Sequence, residues 1–272
     1  MKKFLESEIP DLTEDDCFFH VIPAPLEQTV SYGGGTAKGP QAILEASDQL
    51  EAFDGVSCPC ELGIHTTESF QTLEEIENAV SKVWSAKHFP MLLGGEHTVT
   101  LSALRALKAA GEEFGVVQFD AHADLRDEYE GSKLSHACVM RRAIDDLDLP
   151  LFQIGVRALS IEEHELRIER GIQSFDGRAL FGNLLPADFP EKVYVTFDVD
   201  GLDPSIMPST GTPVPDGLTW REAFYCLDKI AVERKIIAAD VVELAPIDRL
   251  HGPDFGAAQL VYRIMGLVAR SK

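Results

Sequence analysis

Residues 114–124 read FGVVQFDAHAD, and residues 193–204 read VYVTFDVDGLDP. Each is an apolar run, rich in valine and phenylalanine, that ends abruptly in acids and, in the first case, an imidazole. A strand covered on both faces is apolar at nearly every position, so 114–120 and 193–200 are predicted to be buried strands. Three further runs have the same character: FPMLLGG at 89–95, LFQIGVRA at 151–158 and KIIAADVVEL at 235–244. Helical patterns lie between and around them. Thr72-Leu-Glu-Glu75 has capping-box spacing, and Leu73, Ile76, Val80, Val83 and Trp84 follow at helical intervals, which predicts a helix over 72–86. Thr219 and Glu222 repeat that signature before Phe224, Leu227 and Ile230. Leu101, Leu104 and Leu107 mark another helix, 161–170 a charged one, GPQAILEASDQL an early one and 256–269 an apolar closing one. Alternating strands and helices imply an α/β fold with a mainly parallel sheet covered on both faces.

Composition limits the function. The chain has 272 residues, with 24 Lys plus Arg against 45 Asp plus Glu, a net charge of −21. That length suits one domain, and no linker or repeat divides it. The acidic balance argues against a nucleic-acid partner, which calls for a basic stripe, and weakly favours cationic substrates. No apolar run approaches the roughly 18 residues of a membrane span, and MKKFLESEIPD lacks the apolar core of a signal peptide. Five cysteines, Cys17, Cys58, Cys60, Cys138 and Cys226, are few and odd in number, so a reducing cytoplasmic location is expected.

In a parallel sheet, ligands bind beyond the carboxyl ends of the strands. Strand 89–93 leads into Gly94-Gly95-Glu96-His97, strand 114–119 into Asp120-Ala-His122-Ala-Asp124, strand 193–197 into Asp198-Val-Asp200, and strand 235–242 into Glu243. In extended chain, residues i, i+2 and i+4 share a face, so Asp120, His122 and Asp124 are expected to converge, as are Asp198 and Asp200. Four carboxylates and two imidazoles, if their strands are neighbours, repel each other without a cation. Six ligands suit two divalent ions sharing carboxylates, and the oxygen-rich set favours Mn²⁺ over Fe, Ni, Co or Zn.

GGEH, DAHAD and TFDVDGLDPSIMPSTGTPVPDGLT closely resemble the three signature blocks of the ureohydrolases, the arginase and agmatinase superfamily. The resemblance runs from about residue 20 to 269. It implies an arginase-like three-layer α/β/α fold with a mostly parallel central sheet and two Mn²⁺ per subunit. By that resemblance one ion is held by His97, Asp120, Asp124 and Asp198, and the other by His122, Asp120, Asp198 and Asp200. It makes His136, in SHACVMRR, a proton shuttle, and Glu243, in DVVELAP, the carboxylate that holds the guanidinium. SHACVMRR resembles the agmatinase branch, and the Asn- and Ser-bearing loop of arginases is missing. The implied reaction cleaves agmatine to urea and putrescine, in a homo-oligomer (trimer or hexamer).

The tail of the substrate is less legible. Asp127, Glu128 and Glu130 either receive a terminal ammonium or form a solvated loop; Arg126, Arg141 and Arg142 either hold a carboxylate or pair with those acids. The Gly-rich SYGGGTAKGP (31–40) is read as a shaped loop at the substrate mouth. His20, His65, His88, His164 and His251 show no ligand spacing and are read as structural. Rival readings are a ureohydrolase for guanidinobutyrate, guanidinopropionate, guanidine or formiminoglutamate, a metallophosphatase, a one-zinc deacetylase, and a non-catalytic scaffold. The phosphatase lacks its later Gly-Asp and Gly-Asn-His segments here, and the full ligand set argues against the last two.

Overall fold

The computed structural model describes residues 2–10, 12–175 and 183–272. Among the described residues, eight strands form one sheet: β1 (Phe19–Ala24), β2 (Ile64–Thr66), β3 (Phe89–Gly94), β4 (Gly115–Phe119), β5 (Leu151–Ile154), β6 (Gln173–Phe175), β7 (Lys192–Asp198) and β8 (Lys235–Val242). Their order is β2-β1-β3-β8-β7-β4-β5-β6, and every pairing is parallel. Seven α-helices accompany them among the described residues: α1 (Gly39–Ser47), α2 (Leu73–Ser85), α3 (Val99–Ala109), α4 (Val139–Asp145), α5 (Ile161–Arg170), α6 (Trp220–Glu233) and α7 (His251–Ser271).

The strands carry two cores because side chains alternate across a sheet. Phe19, Met91, Val117, Val195 and Val241 pack with α1, α6 and α7. Ile22, Leu92, Val116, Tyr194 and Val242 pack with α2, α3, α4 and α5. The result is the three-layer α/β/α arrangement. Thr72, Ser160 and Thr219 each complete a capping box, which fixes where α2, α5 and α6 begin.

Most sequence-based spans hold to within a residue or two. Run 151–158 is strand only to Ile154, because Gly155 takes φ 88° and turns the chain. Strands β1, β2 and β6 were not expected. The first carries Pro23 and the other two are three residues long, too short for a period to show. The extended alternation expected after β4 and β7 is also absent. Asp124 has φ 53°, and Val199–Gly201 is a 3-10 turn in which the Asp200 N–H donates to Asp198 Oδ1 at 2.8 Å. The acids converge through these turns instead.

A bulge in the β7–β8 pairing has consequences for the site. Val193 pairs with Ile236 but Tyr194 pairs with Ala238, so Ile237 is an inserted residue. Beyond the bulge, Asp240 lies opposite Thr196 and on its face. No helix is long and apolar enough to cross a membrane among the described residues, and all five cysteines are free.

Candidate metal centre and substrate pocket

The four central strands, in the order β3-β8-β7-β4, are those that carry the acids and imidazoles singled out in the sequence. Their carboxyl ends therefore meet. His97 Nδ1 lies 3.0 Å from Asp124, 3.2 Å from Asp120 and 3.4 Å from Asp198. His122 Nδ1 lies 2.9 Å from Asp200 and 3.6 Å from Asp120. Two groups of metal-capable donors result, His97–Asp120–Asp198 and Asp120–His122–Asp200, and Asp120 belongs to both. Asp120 turns Oδ2 toward His97 and Oδ1 toward His122. All six residues are thus brought together, with Asp124 completing the first group.

The surrounding hydrogen bonds orient the donors. Tyr194, Thr196 and Thr100 hydroxyls donate to the buried Asp240 carboxylate at 2.7, 2.7 and 2.8 Å. Thr196 has one proton and gives it to Asp240, so it accepts from His97 Nε2–H at 2.9 Å. In a neutral ring His97 Nδ1 then carries the lone pair. Although desolvation opposes charge here, the facing carboxylates hold the His97 pKa well above its usual value, so a proton or a metal ion is called for at that atom. It is buried, faces three carboxylates and makes a proper hydrogen bond with none. A lone pair facing anions is repulsive unless a cation lies between them. On the other side, Gln118 Nε2 donates to Asp120 Oδ2 at 2.7 Å and is itself held by Gln153.

The electrostatics agree. Burial, reinforced by the Asp120 charge, pushes Asp124 up to about 7. Burial pushes Glu243 up to about 8 and raises Asp198 and Asp200. Desolvation opposes charge on His122, yet hydrogen bonds and charge from Asp120 and Asp200 push it up to about 12. A site that must otherwise gather protons to relieve its own repulsion is suited to divalent ions.

Over this array lies a cavity of about 340 Å³, whose wall includes His97, His122, Asp124, His136, Asp198, Asp200 and Glu243. Asp124 and Glu243 sit in left-handed backbone, φ 53° and 65°, a strained conformation that points to a positional requirement. Glu243 accepts the His97 N–H on Oε1 at 2.6 Å, which ties β8 to β3. His136 starts a 3-10 turn before α4. Its Nδ1 meets Thr29 Oγ1 at 2.9 Å and its Nε2 meets Ser31 Oγ at 2.8 Å.

Thr29 was not singled out by the sequence, and Ser31 and Glu96 were read only as parts of SYGGGTAKGP and GGEH. Glu96 accepts the N–H groups of Gln28 and Thr29 at 2.6 Å each, and the Thr29 hydroxyl at 3.1 Å. The Gly-rich loop does reach the mouth: Tyr32, Gly33 and Thr36 line it. Gly33 N–H donates to Gly211 O at 3.2 Å, and a Cβ on Gly33 would come within 2.9 Å of that oxygen. Glu163 lines the pocket too, its oxygens accepting Leu125 N–H and Ser160 N–H. Its capping-box spacing from Ser160 was the available signal. By contrast, Asp127 pairs with Arg142 at 2.5 Å and Lys133 at 3.3 Å, and Arg141 pairs with Asp145. Those ion pairs favour the charged-loop reading of that segment, although Arg126 lines the pocket beside Tyr129.

Fold and site together define a three-layer α/β protein with a candidate binuclear metal centre at the carboxyl ends of its central strands. The chain matches the sequence model of the arginase family over residues 18–266, and it belongs to that family. It is 38% identical to the N(1)-aminopropylagmatine ureohydrolase of Synechocystis sp., covering 100% of this chain and 95% of that one. It is 33% identical to the agmatinase of Bacillus subtilis, covering 90% and 89%. The agmatine ureohydrolase of Thermoplasma volcanium has the same fold, with a TM-score of 0.84, 28% identity, and 98% and 94% coverage. These relatives place the chain in the agmatinase branch, as a hydrolase acting on guanidino groups. The family implies a binuclear metal centre, which the two donor groups sharing Asp120 fit.

Proposed function

We propose that this protein hydrolyses the guanidino group of a linear cationic guanidinoalkylamine, releasing urea and the free amine. The supporting observation is the buried array of His97, Asp120, His122, Asp124, Asp198 and Asp200 beneath Glu243. Its preferred substrate is N(1)-aminopropylagmatine, a refinement of the expectation of agmatine. Relatives with that named activity are 38%, 36%, 35% and 32% identical, against 30–33% for the agmatinases. Agmatine is the second reading, favoured by those same agmatinase relatives. With the metal ligands and Glu243 otherwise engaged, Glu163 is the acidic side chain left on the pocket wall for a cationic tail, alongside Arg126.

His97, Asp120, Asp124 and Asp198 would hold one ion and His122, Asp120, Asp198 and Asp200 the other, Mn²⁺ being suited to this oxygen-rich set. Such ions supply Lewis acidity and an acidified water. Glu243 binds the guanidinium through charge-assisted hydrogen bonds. His136 takes up the proton released as water attacks the guanidinium and passes it to the departing amine. Thr29 gives its hydroxyl proton to Glu96, so it accepts from His136 Nδ1–H. His136 Nε2 is then the proton-transfer atom, opposite the Ser31 hydroxyl. Burial lowers the His136 pKa, so the neutral ring dominates near neutral pH.

Replacing His136 by Ala is expected to reduce kcat roughly 10²- to 10⁴-fold while metal content stays unchanged. Metal analysis beside steady-state kinetics checks this, and wild-type turnover in the variant would remove the proton-transfer role. The function itself is tested by urea release from Mn²⁺-loaded protein on N(1)-aminopropylagmatine, agmatine, arginine and guanidinobutyrate. A kcat/KM at least about tenfold higher for the aminopropyl compound than for agmatine, one added ionic contact, is the expected result. The reverse order would establish the second reading. Preference for arginine or guanidinobutyrate would overturn the cationic tail.

A further inference from the structure

Three of the histidines read as structural come together at the other end of the sheet. His20 is the second residue of β1 and pairs in register with His65 of β2, so the two side chains lie side by side on one face. Their rings are 5.1 Å apart, and His88, just before β3, stacks on His20 at 4.3 Å with an 18° tilt. Glu14, in the turn before β1, approaches His65 Nε2 at 3.7 Å. The donor atoms of Glu14, His20 and His65 all lie within 4.8 Å of one another. Two bonds to one transition-metal ion span at most about 4.2 Å, so small side-chain rotations bring all three into range.

His20 is only 2% exposed. Its Nε2–H donates to the Cys17 carbonyl at 3.2 Å, and its Nδ1 has no partner. That arrangement is characteristic of a metal-binding imidazole: a backbone carbonyl holds one nitrogen and leaves the other with a free lone pair. The histidines line a cleft of about 450 Å³ together with Glu14, Asp15, Glu68 and Glu75. Lys82 holds Glu14 through Oε1 at 3.3 Å, while the oxygen facing His65 is Oε2.

We propose that Glu14, His20 and His65 form a second metal site, separate from the guanidino-hydrolysing centre, that takes a single Zn²⁺-class ion. Two imidazoles and a carboxylate with an open fourth position suit zinc better than manganese. The ion clips the segment around Glu14 to edge strand β2 and its neighbour β1, a structural role. Burial also lowers His20 to about 4, which keeps its imidazole neutral and ready to bind.

The test compares wild type with H65N and E14Q, both altered at partly exposed side chains far from the substrate pocket. Each protein is loaded with Mn²⁺, dialysed against Zn²⁺, and its total metal per chain is measured by mass spectrometry. Wild type is expected to hold one more equivalent than either variant, a difference that does not depend on how the sheet-end centre is filled. Zn²⁺ at about a hundredfold excess over Kd should also raise the wild-type Tm by roughly 5 °C, and the variants' Tm by much less. Urea release should be the same in all three proteins. Equal metal content in wild type and variants, or an equal Tm response to Zn²⁺, would overturn the site. Failure of the substrate panel would leave this comparison unaffected.

Discussion

Asp120→Asn is expected to abolish guanidino hydrolysis and metal retention together, a loss of roughly a thousandfold or more in kcat. Asp120 is the residue common to both donor groups. One oxygen faces His97 and the other faces His122, so one substitution weakens both halves. Asparagine keeps the size and one acceptor, which can still take the His122 N–H that Asp120 Oδ1 accepts at 2.6 Å. The fold should therefore persist, and far-UV circular dichroism should match wild type. Mass spectrometry after dialysis should find well under two metals per chain. An Asp120→Asn protein that keeps two ions and wild-type turnover would refute the shared centre.

Glu243→Gln separates substrate binding from metal binding. Glutamine retains an oxygen for the His97 N–H, bonded to Glu243 Oε1 at 2.6 Å, so the link between β3 and β8 survives. It removes the charge that pairs with the guanidinium. Because burial pushes Glu243 up to about 8, glutamine also mimics the neutral form that the side chain adopts with no cation nearby. Loss of a buried charge-assisted pair is worth about 3 kcal/mol, so kcat/KM should fall by roughly two orders of magnitude. Metal content should remain at the wild-type level. A kcat/KM close to wild type would show that the guanidinium is held elsewhere, and loss of metal would show that Glu243 supports the centre instead.

Much of this site was legible because strand identity is local. FGVVQF and VYVTF announce buried strands by composition, and the acids stand where the apolar runs stop. What converges them was misread: Asp200 reaches Asp198 through a 3-10 turn, and Asp124 through left-handed backbone. Asp240 was passed over because it sits inside an apolar strand, where nothing local shows that a bulge turns it toward Thr196. The roles of Thr29 and Ser31 were passed over because they lie in contacts with His136, more than 100 residues away.

The sequence by itself determined the class of elements, the donor types at the strand ends and the reaction class that the signature blocks imply. Periodicity and side-chain chemistry act over a few residues, so a linear reading captures them. Only the tertiary structure decided which strand ends meet. β8 lies between β3 and β7 although about 140 residues separate it from β3, and this insertion sets Glu243 against His97. The same non-local pairing places His20 beside His65. Parallel strands need crossover connections, and the path of a crossover is chosen by how whole helices pack on the sheet, which no short stretch of sequence records.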